Sequence, residues 1–203
     1  MSNFELLRRV AADLQRHEQR FCLVGALAVG AWCVERSTKD VDFTVLVPGD
    51  AEAEELVRLL RGEGYTDRAH LDHVPSGRLA TVRLRHPGAA TPDPTVDLLF
   101  CATGIEEEIV EAAQPISFGN TRIPVASLGH LVAMKVLSAG PGRPQDEIDL
   151  MSLLPEASQL DIEEATEALN LMATRGFTND KDLLDELHRY QELSREQGPD
   201  LGR

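Results

Sequence analysis

Asp40 and Asp42 flank Val41 at the head of the run Val41-Asp42-Phe43-Thr44-Val45-Leu46-Val47, and a run so rich in β-branched and aromatic residues reads as a strand. Side chains two apart on a strand face the same way, roughly 7 Å apart along the rise. Both carboxylates therefore project from one face while Val41 turns to the other. Two like charges brought to about 4 Å at an effective dielectric near 20 repel by about 4 kcal/mol. A cation between them removes that cost, and the candidate is a divalent metal ion that takes oxygen ligands. A third acid, Asp97, stands alone in Thr95-Val96-Asp97-Leu98-Leu99-Phe100, where an ionised carboxylate is expensive unless compensated. Two arrangements answer that cost. One is an ion pair with Arg83 or Arg85. The other is a place beside Asp40 and Asp42 on the same sheet, which completes a three-carboxylate set suited to two-metal chemistry.

Gly25 closes the apolar segment Phe21-Cys22-Leu23-Val24, and Ala26 to Val34 (ALAVGAWCV) then reads as a helix of small residues. A glycine at that turn lets a backbone N–H approach a phosphate, and the following helix N-terminus adds further donors. Lys135 follows Leu128, Leu131 and Val132 by seven, four and three positions, so it lies along an apolar helical face. An ammonium there requires an anion. That anion is a nucleotide phosphate or a carboxylate from Asp146 or Asp149, which share a face at i, i+3. Arg143 belongs to the same cluster, just ahead of Pro144 at a helix start. Lysine is scarce, with Lys39, Lys135 and Lys181 the only three among 20 basic residues.

The elements that must position these residues follow from period and punctuation. Phe4 to Leu14 has helical spacing, and Phe21 to Val24 is a short buried strand. Pro48-Gly49-Asp50 is turn chemistry before a helix from Ala51 to about Gly62. Tyr65 to Gly77 reads as polar and irregular, Leu79 to Arg85 as a half-solvated strand, and Pro87 to Pro94 as a loop. A strand over Thr95–Phe100, an acidic helix from Gly104 to about Ala113 and a short strand over Asn120–Val125 come next. From Ser127 onward the pattern is helical, in four segments: Ser127–Ala139, Pro144–Leu154, Asp161–Thr174 and Asn179–Gln191. The expected fold is α+β, a mixed β-sheet flanked by helices with a C-terminal helical region. The only visible boundary divides 1–126, an α/β core, from 127–203, the helical part.

The formal net charge of −14 is unevenly spread. Residues 1–100 carry 12 Lys and Arg against 15 Asp and Glu, and residues 101–203 carry 8 against 19. The second half is a poor surface for phosphate backbones, whose binding rests on Lys and Arg, and it suits a basic protein partner instead. Cys22, Cys33 and Cys101 form no metal-ligand spacing, which points to buried reduced thiols and a cytoplasmic setting. The N-terminus has no signal-peptide pattern, and the longest apolar run, Phe21 to Val34, is too short to span a bilayer.

Taken together, Val24-Gly25-Ala26-Leu27-Ala28, Glu35-Arg36-Ser37-Thr38-Lys39-Asp40-Val41-Asp42, Asp97, and the block Leu131 to Leu150 (LVAMKVLSAGPGRPQDEIDL) resemble the nucleotidyltransferase superfamily of DNA polymerase β-like fold. The nearest branch is that of AbiEii-type toxins and related minimal nucleotidyltransferases, with the downstream block resembling its Lys-then-Arg-x-x-Asp-x-x-Asp helix pair. The resemblance implies Mg²⁺ (or Mn²⁺)-dependent transfer of a nucleoside monophosphate from an NTP to a hydroxyl acceptor: an RNA 3′ end, a small molecule or a protein side chain. It makes Asp40 and Asp42 metal ligands and Asp97 the third carboxylate, assisting the attacking hydroxyl. Gly25, Ala26, Arg36, Lys39, Lys135, Arg143 and Asp146 become the nucleotide-binding candidates. The family usually carries Gly-Gly or Gly-Ser where this chain has Gly25-Ala26. That departure motivates an alternative, an NTP-binding or toxin–antitoxin-type regulatory module of the same fold with weak turnover.

Overall fold

In a computed structural model, which describes residues 2–33, 38, 40–73, 77–87 and 95–197, seven strands form one mixed sheet with helices packed against it. The chain opens with α1 (Asn3–Arg16), whose N-cap Ser2 accepts from the Glu5 N–H and whose apolar positions Leu6, Leu7, Val10, Ala11 and Leu14 are buried. β1 (Arg20–Val24) runs directly into α2 (Gly25–Trp32). β2 (Val41–Leu46) and α3 (Asp50–Gly62) follow, and then the strands β3 (Thr66–His73), β4 (Arg78–Arg85) and β5 (Val96–Leu99). α4 (Glu106–Glu111) leads to the hairpin β6 (Gln114–Phe118) and β7 (Thr121–Val125). Four helices complete the described chain: α5 (Leu128–Ser138), α6 (Pro144–Leu153), α7 (Gln159–Thr174) and α8 (Leu183–Gln197).

The sheet order is β3-β4-β5-β2-β1-β7-β6. β2 pairs with β5 in parallel and with β1 antiparallel, while β4 pairs antiparallel with β5. This α+β arrangement is the one expected from the sequence. Two strands differ from expectation. Thr66–His73, read as irregular, is an edge strand, and Gln114–Phe118 is the other edge. Of the expected Pro87–Pro94 loop, residues 88–94 lie outside the described residues, as do residues 34–37 and 39 of the connector before β2.

Phe21 and Phe43 meet edge-on, with ring centroids 5.4 Å apart, within a single buried apolar cluster that also includes Leu7, Leu23, Leu131 and Leu169. Burying such side chains contributes roughly 1.5–3 kcal/mol each. The Trp32 indole N–H donates to the Ala126 carbonyl at 2.9 Å, fixing the end of α2 to the exit of β7. α5 and α7 meet through Gly129, where a Cβ would lie 2.5 Å from the Asp161 carbonyl. All three cysteines are free thiols. No described helix is long and apolar enough to cross a membrane.

Candidate active site

A single cross-strand line carries the acids. Val24 of β1 pairs with Asp42 of β2, Asp42 with Asp97 of β5, Asp97 with Arg83 of β4, and Arg83 with Ala69 of β3. Residues directly opposite on neighbouring strands share a face, so Asp42, Asp97 and Arg83 project side by side. The sheet register, and not proximity in sequence, assembles the row.

Asp97 is almost fully buried, at 8% exposed, and each of its oxygens accepts one hydrogen bond from Arg83. Arg83 donates from Nε to Oδ1 at 2.7 Å and from a terminal nitrogen to Oδ2 at 2.6 Å. This forked, charge-assisted pair is among the stronger hydrogen-bonded arrangements of a carboxylate, and it raises the guanidinium pKa above its ordinary value. The sequence left Arg83, Arg85 and the acid cluster open as partners for Asp97; in the structure Asp97 pairs with Arg83 while standing beside Asp42.

Asp40 lies one residue ahead of β2, where its Oδ1 accepts from the Thr95 hydroxyl at 2.7 Å. The Val41 N–H donates to the Thr95 carbonyl at 2.9 Å, so Thr95 holds the Asp40 carboxylate with its side chain and the start of β2 with its backbone. Thr95 has no signal in the sequence beyond its place two residues before Asp97. Only the parallel β2–β5 register reveals it.

The Asp42 carboxyl is pushed up to about 7, first by burial and then by the negative charges of Asp97 and Asp40; Lys135 and Arg83 partly offset this. Gly25 covers it. At φ +66° the residue sits in the left-handed region, and a Cβ there would stand 2.6 Å from Asp42 Cγ. Glycine is the residue that adopts this φ without cost and leaves the carboxylate room. The first turn of α2, with Ala26 buried, begins at this point.

Lys135 of α5 enters from the helical side. Its Nζ lies 2.6 Å from Asp146 Oδ1 and 2.7 Å from Asp149 Oδ2, both on α6. Asp149 is buried, and Arg143 adds a longer ion pair to Asp146 at 3.6 Å. Lys135 is therefore matched by carboxylates in this state, the second of the two alternatives its apolar face allowed.

A cleft of about 630 Å³ collects these groups: Gly25, Ala26, Asp40, Asp42, Arg83, Asp97, Lys135, Arg143 and Asp146 all line it. Of the sequence-derived candidates, only Arg36 and Lys39 lie outside the described residues. Asp40 and Asp42 offer hard oxygen donors of the kind Mg²⁺ and Mn²⁺ take, and burial together with the neighbouring negative charges raises the Asp42 carboxyl. These two fit a divalent ion. Asp97 stands in register beside Asp42 with each oxygen accepting from Arg83, and among the described residues no three His, Cys, Asp or Glu side chains are arranged to hold a metal.

Comparison with known proteins agrees with this architecture. No curated protein is a significant match. Among solved structures, an antigenic nucleotidyltransferase-like protein from Paracoccidioides brasiliensis superposes with a TM-score of 0.52 at 16% identity, covering 91% of each chain. ANT(2")-Ia, in complex with adenylyl-2"-tobramycin, superposes with a TM-score of 0.54 at 15% identity, covering 97% of this chain and 98% of the other. At such identities the likeness is one of fold. The family model described as nucleotidyl transferase AbiEii toxin, type IV TA system, matches residues 5–200, a span that takes in the carboxylate row, Gly25 and Lys135, and the chain belongs to that family of nucleotidyltransferases.

Proposed function

We propose that this nucleotidyltransferase moves a nucleoside monophosphate from an NTP to a hydroxyl acceptor in the cleft between the sheet and α5–α6, in a metal-dependent reaction. The observation that carries the reading is the Asp42 carboxylate flanked in register by Asp97, covered by Gly25 and lining one cleft with Asp40, Lys135 and Arg143. The N–H groups at the start of α2, at Gly25 and Ala26, receive the triphosphate, for which a backbone donor suffices and a side-chain hydroxyl is not needed. On the helical side, Lys135 and Arg143 contact the phosphates by exchanging part of their present pairing with Asp146 and Asp149. Asp40 and Asp42 hold Mg²⁺ (or Mn²⁺), which when bound neutralises charge on the reacting phosphate. The acceptor oxygen bonds to the α-phosphorus, the bond to the β-phosphate breaks, and pyrophosphate leaves. The acceptor proton passes to the lone pairs of Asp97 that Arg83 leaves open. In this reading the units 1–126 and 127–203 have separate tasks, the first supplying carboxylates and the second Lys135 and Arg143.

Labelled NTPs, Mg²⁺ and a pool of acceptors (tRNA, aminoglycoside-like molecules and proteins) test it. Label transfer by the wild type and its loss in Asp42→Ala are expected. Absence of both NTP binding and transfer in the wild type overturns the reading. NTP binding without transfer across the panel favours the alternative, a regulatory module with weak turnover.

A protein partner is the second element of the proposal. The −11 formal charge of residues 101–203 and membership of a toxin–antitoxin family point to a basic surface on an antitoxin. Recovery of such a partner from the native host at low salt, and its release at high salt, is the expected result. Recovery of none at low salt counts against it.

A further inference from the structure

We propose that the hollow between α1, α2 and the β6–β7 hairpin binds a small aromatic anion, a planar ring bearing a carboxylate, at a site separate from the nucleotidyl-transfer cleft. The cavity measures about 510 Å³, within the roughly 300–1,000 Å³ that small-ligand sites occupy. Its floor is the apolar helix α2, where Ala26, Gly30 and Ala31 carry no more than a methyl group and so leave the hollow open. Its walls are aromatic. Phe4 of α1, 41% exposed, and Phe118 of β6 stand with ring centroids 6.2 Å apart, an amount of uncovered ring surface that a third ring would pack against. Arg8 is the only charged residue in the lining. Arg9, Arg16, Arg20, Arg61 and Arg83 each hold a carboxylate, whereas the half-buried Arg8 has no ion pair or hydrogen bond among the described residues. Its guanidinium crosses from α1 to the hairpin turn, where a Cβ added at Gly119 would stand 3.5 Å from a terminal nitrogen. A guanidinium beside aromatic walls selects a carboxylate, which it can take with two hydrogen bonds. An extended peptide suits the place less well. Pro115 of β6 faces Pro124 of β7, and since neither has an N–H, this is a pair whose backbone groups point outward. Within β6 the free edge then keeps Ser117 alone as an N–H donor, too little for an added strand. Ala26 lines both this hollow and the cleft, yet nothing in the argument depends on nucleotide transfer.

Calorimetry and ¹H–¹⁵N NMR of the full chain with indole-3-acetate, indole-3-ethanol and tryptamine, which share one ring and differ in charge, test the site. Indole-3-acetate should bind with a Kd of about 1 mM or tighter, about tenfold tighter than the alcohol, with tryptamine weakest. Amide shifts on binding should fall at Ala26, Gly30, Ala31, Ser117 and Gly119. Arg8→Gln should reduce the acid to the affinity of the alcohol, and Phe4→Ala should weaken both. The proposal is overturned by an acid that binds no tighter than the alcohol, by shifts centred on Asp42 and Asp97, by direct competition from Mg²⁺-ATP, or by a folded Arg8→Gln that keeps the preference for the acid. The first three readouts use the wild type and need no variant to fold. None of them measures nucleotide transfer, so failure of the functional reading leaves them standing.

Discussion

Gly25 lies over the carboxylate of Asp42 so closely that a single added carbon would stand 2.6 Å from Asp42 Cγ. The backbone at φ +66° adds a conformational cost of about 1–2 kcal/mol for any L side chain. Gly25→Ala is expected to destabilise the protein by about 2–4 kcal/mol through strain and overpacking together, and to reduce Mn²⁺ affinity at least tenfold by displacing Asp42. Thermal melts and calorimetric titration check both.

Asp42 gives the fold a pH dependence of definite sign. Its carboxyl is raised to about 7 in the folded chain, against about 3.9 when unfolded, so the native state binds the proton more tightly. Stability from this group is full below pH 4 and is lost as pH rises through 7. Asp42→Asn should therefore be more stable than the wild type at pH 8, by up to about 4 kcal/mol, with the gain vanishing near pH 4. Denaturant melts at the two pH values in the absence of divalent ions measure it; no gain at pH 8 would refute the assignment.

Lys135 answers two carboxylates, one of them nearly inaccessible. Removing one partner of a buried pair costs about 3–5 kcal/mol because the other charge is left unmatched. Lys135→Met should show a loss of that size, and the loss should shrink when Asp149→Asn is added. A double-mutant cycle by urea unfolding gives the coupling.

Gly129 separates packing from chemistry. Glycine to alanine inside a helix ordinarily gains about 1 kcal/mol. Here a Cβ would meet the Asp161 backbone carbonyl and the Glu164 carboxylate, each at 2.5 Å. Gly129→Ala should reverse the usual sign and cost about 1–3 kcal/mol, with Mn²⁺ affinity unchanged.

Most of the elements were legible because their burial leaves a period in the sequence; the two edge strands were not. β3 carries the exposed polar residues Thr66, Asp67, Arg68 and Asp72, so no alternation of apolar residues betrays it. β6 is half exposed and contains Pro115, which is tolerated at an edge and discourages a strand reading. The helix α7 begins at Gln159, earlier than its apolar period indicates, because Ser158 and Asp161 form a capping box. In the site, Asp40 and Asp42 follow from spacing alone, and Lys135 from an ammonium on an apolar face. The choice of Arg83 for Asp97 and of Thr95 for Asp40 did not follow. Both depend on which strands become neighbours, and one-residue changes of register would have altered every pairing.

The strand order has a consequence for how the site comes into being. Arg83 and Asp97 are 14 positions apart, and Lys135 and Asp146 are 11 apart, whereas Asp40 and Thr95 are separated by 55. Loop-closure entropy makes the short-range pairs the cheaper ones to form first, with the parallel β2–β5 contact coming later. Asp97 then reaches Asp42 with its charge already matched by Arg83, which lowers the barrier to bringing the carboxylates together.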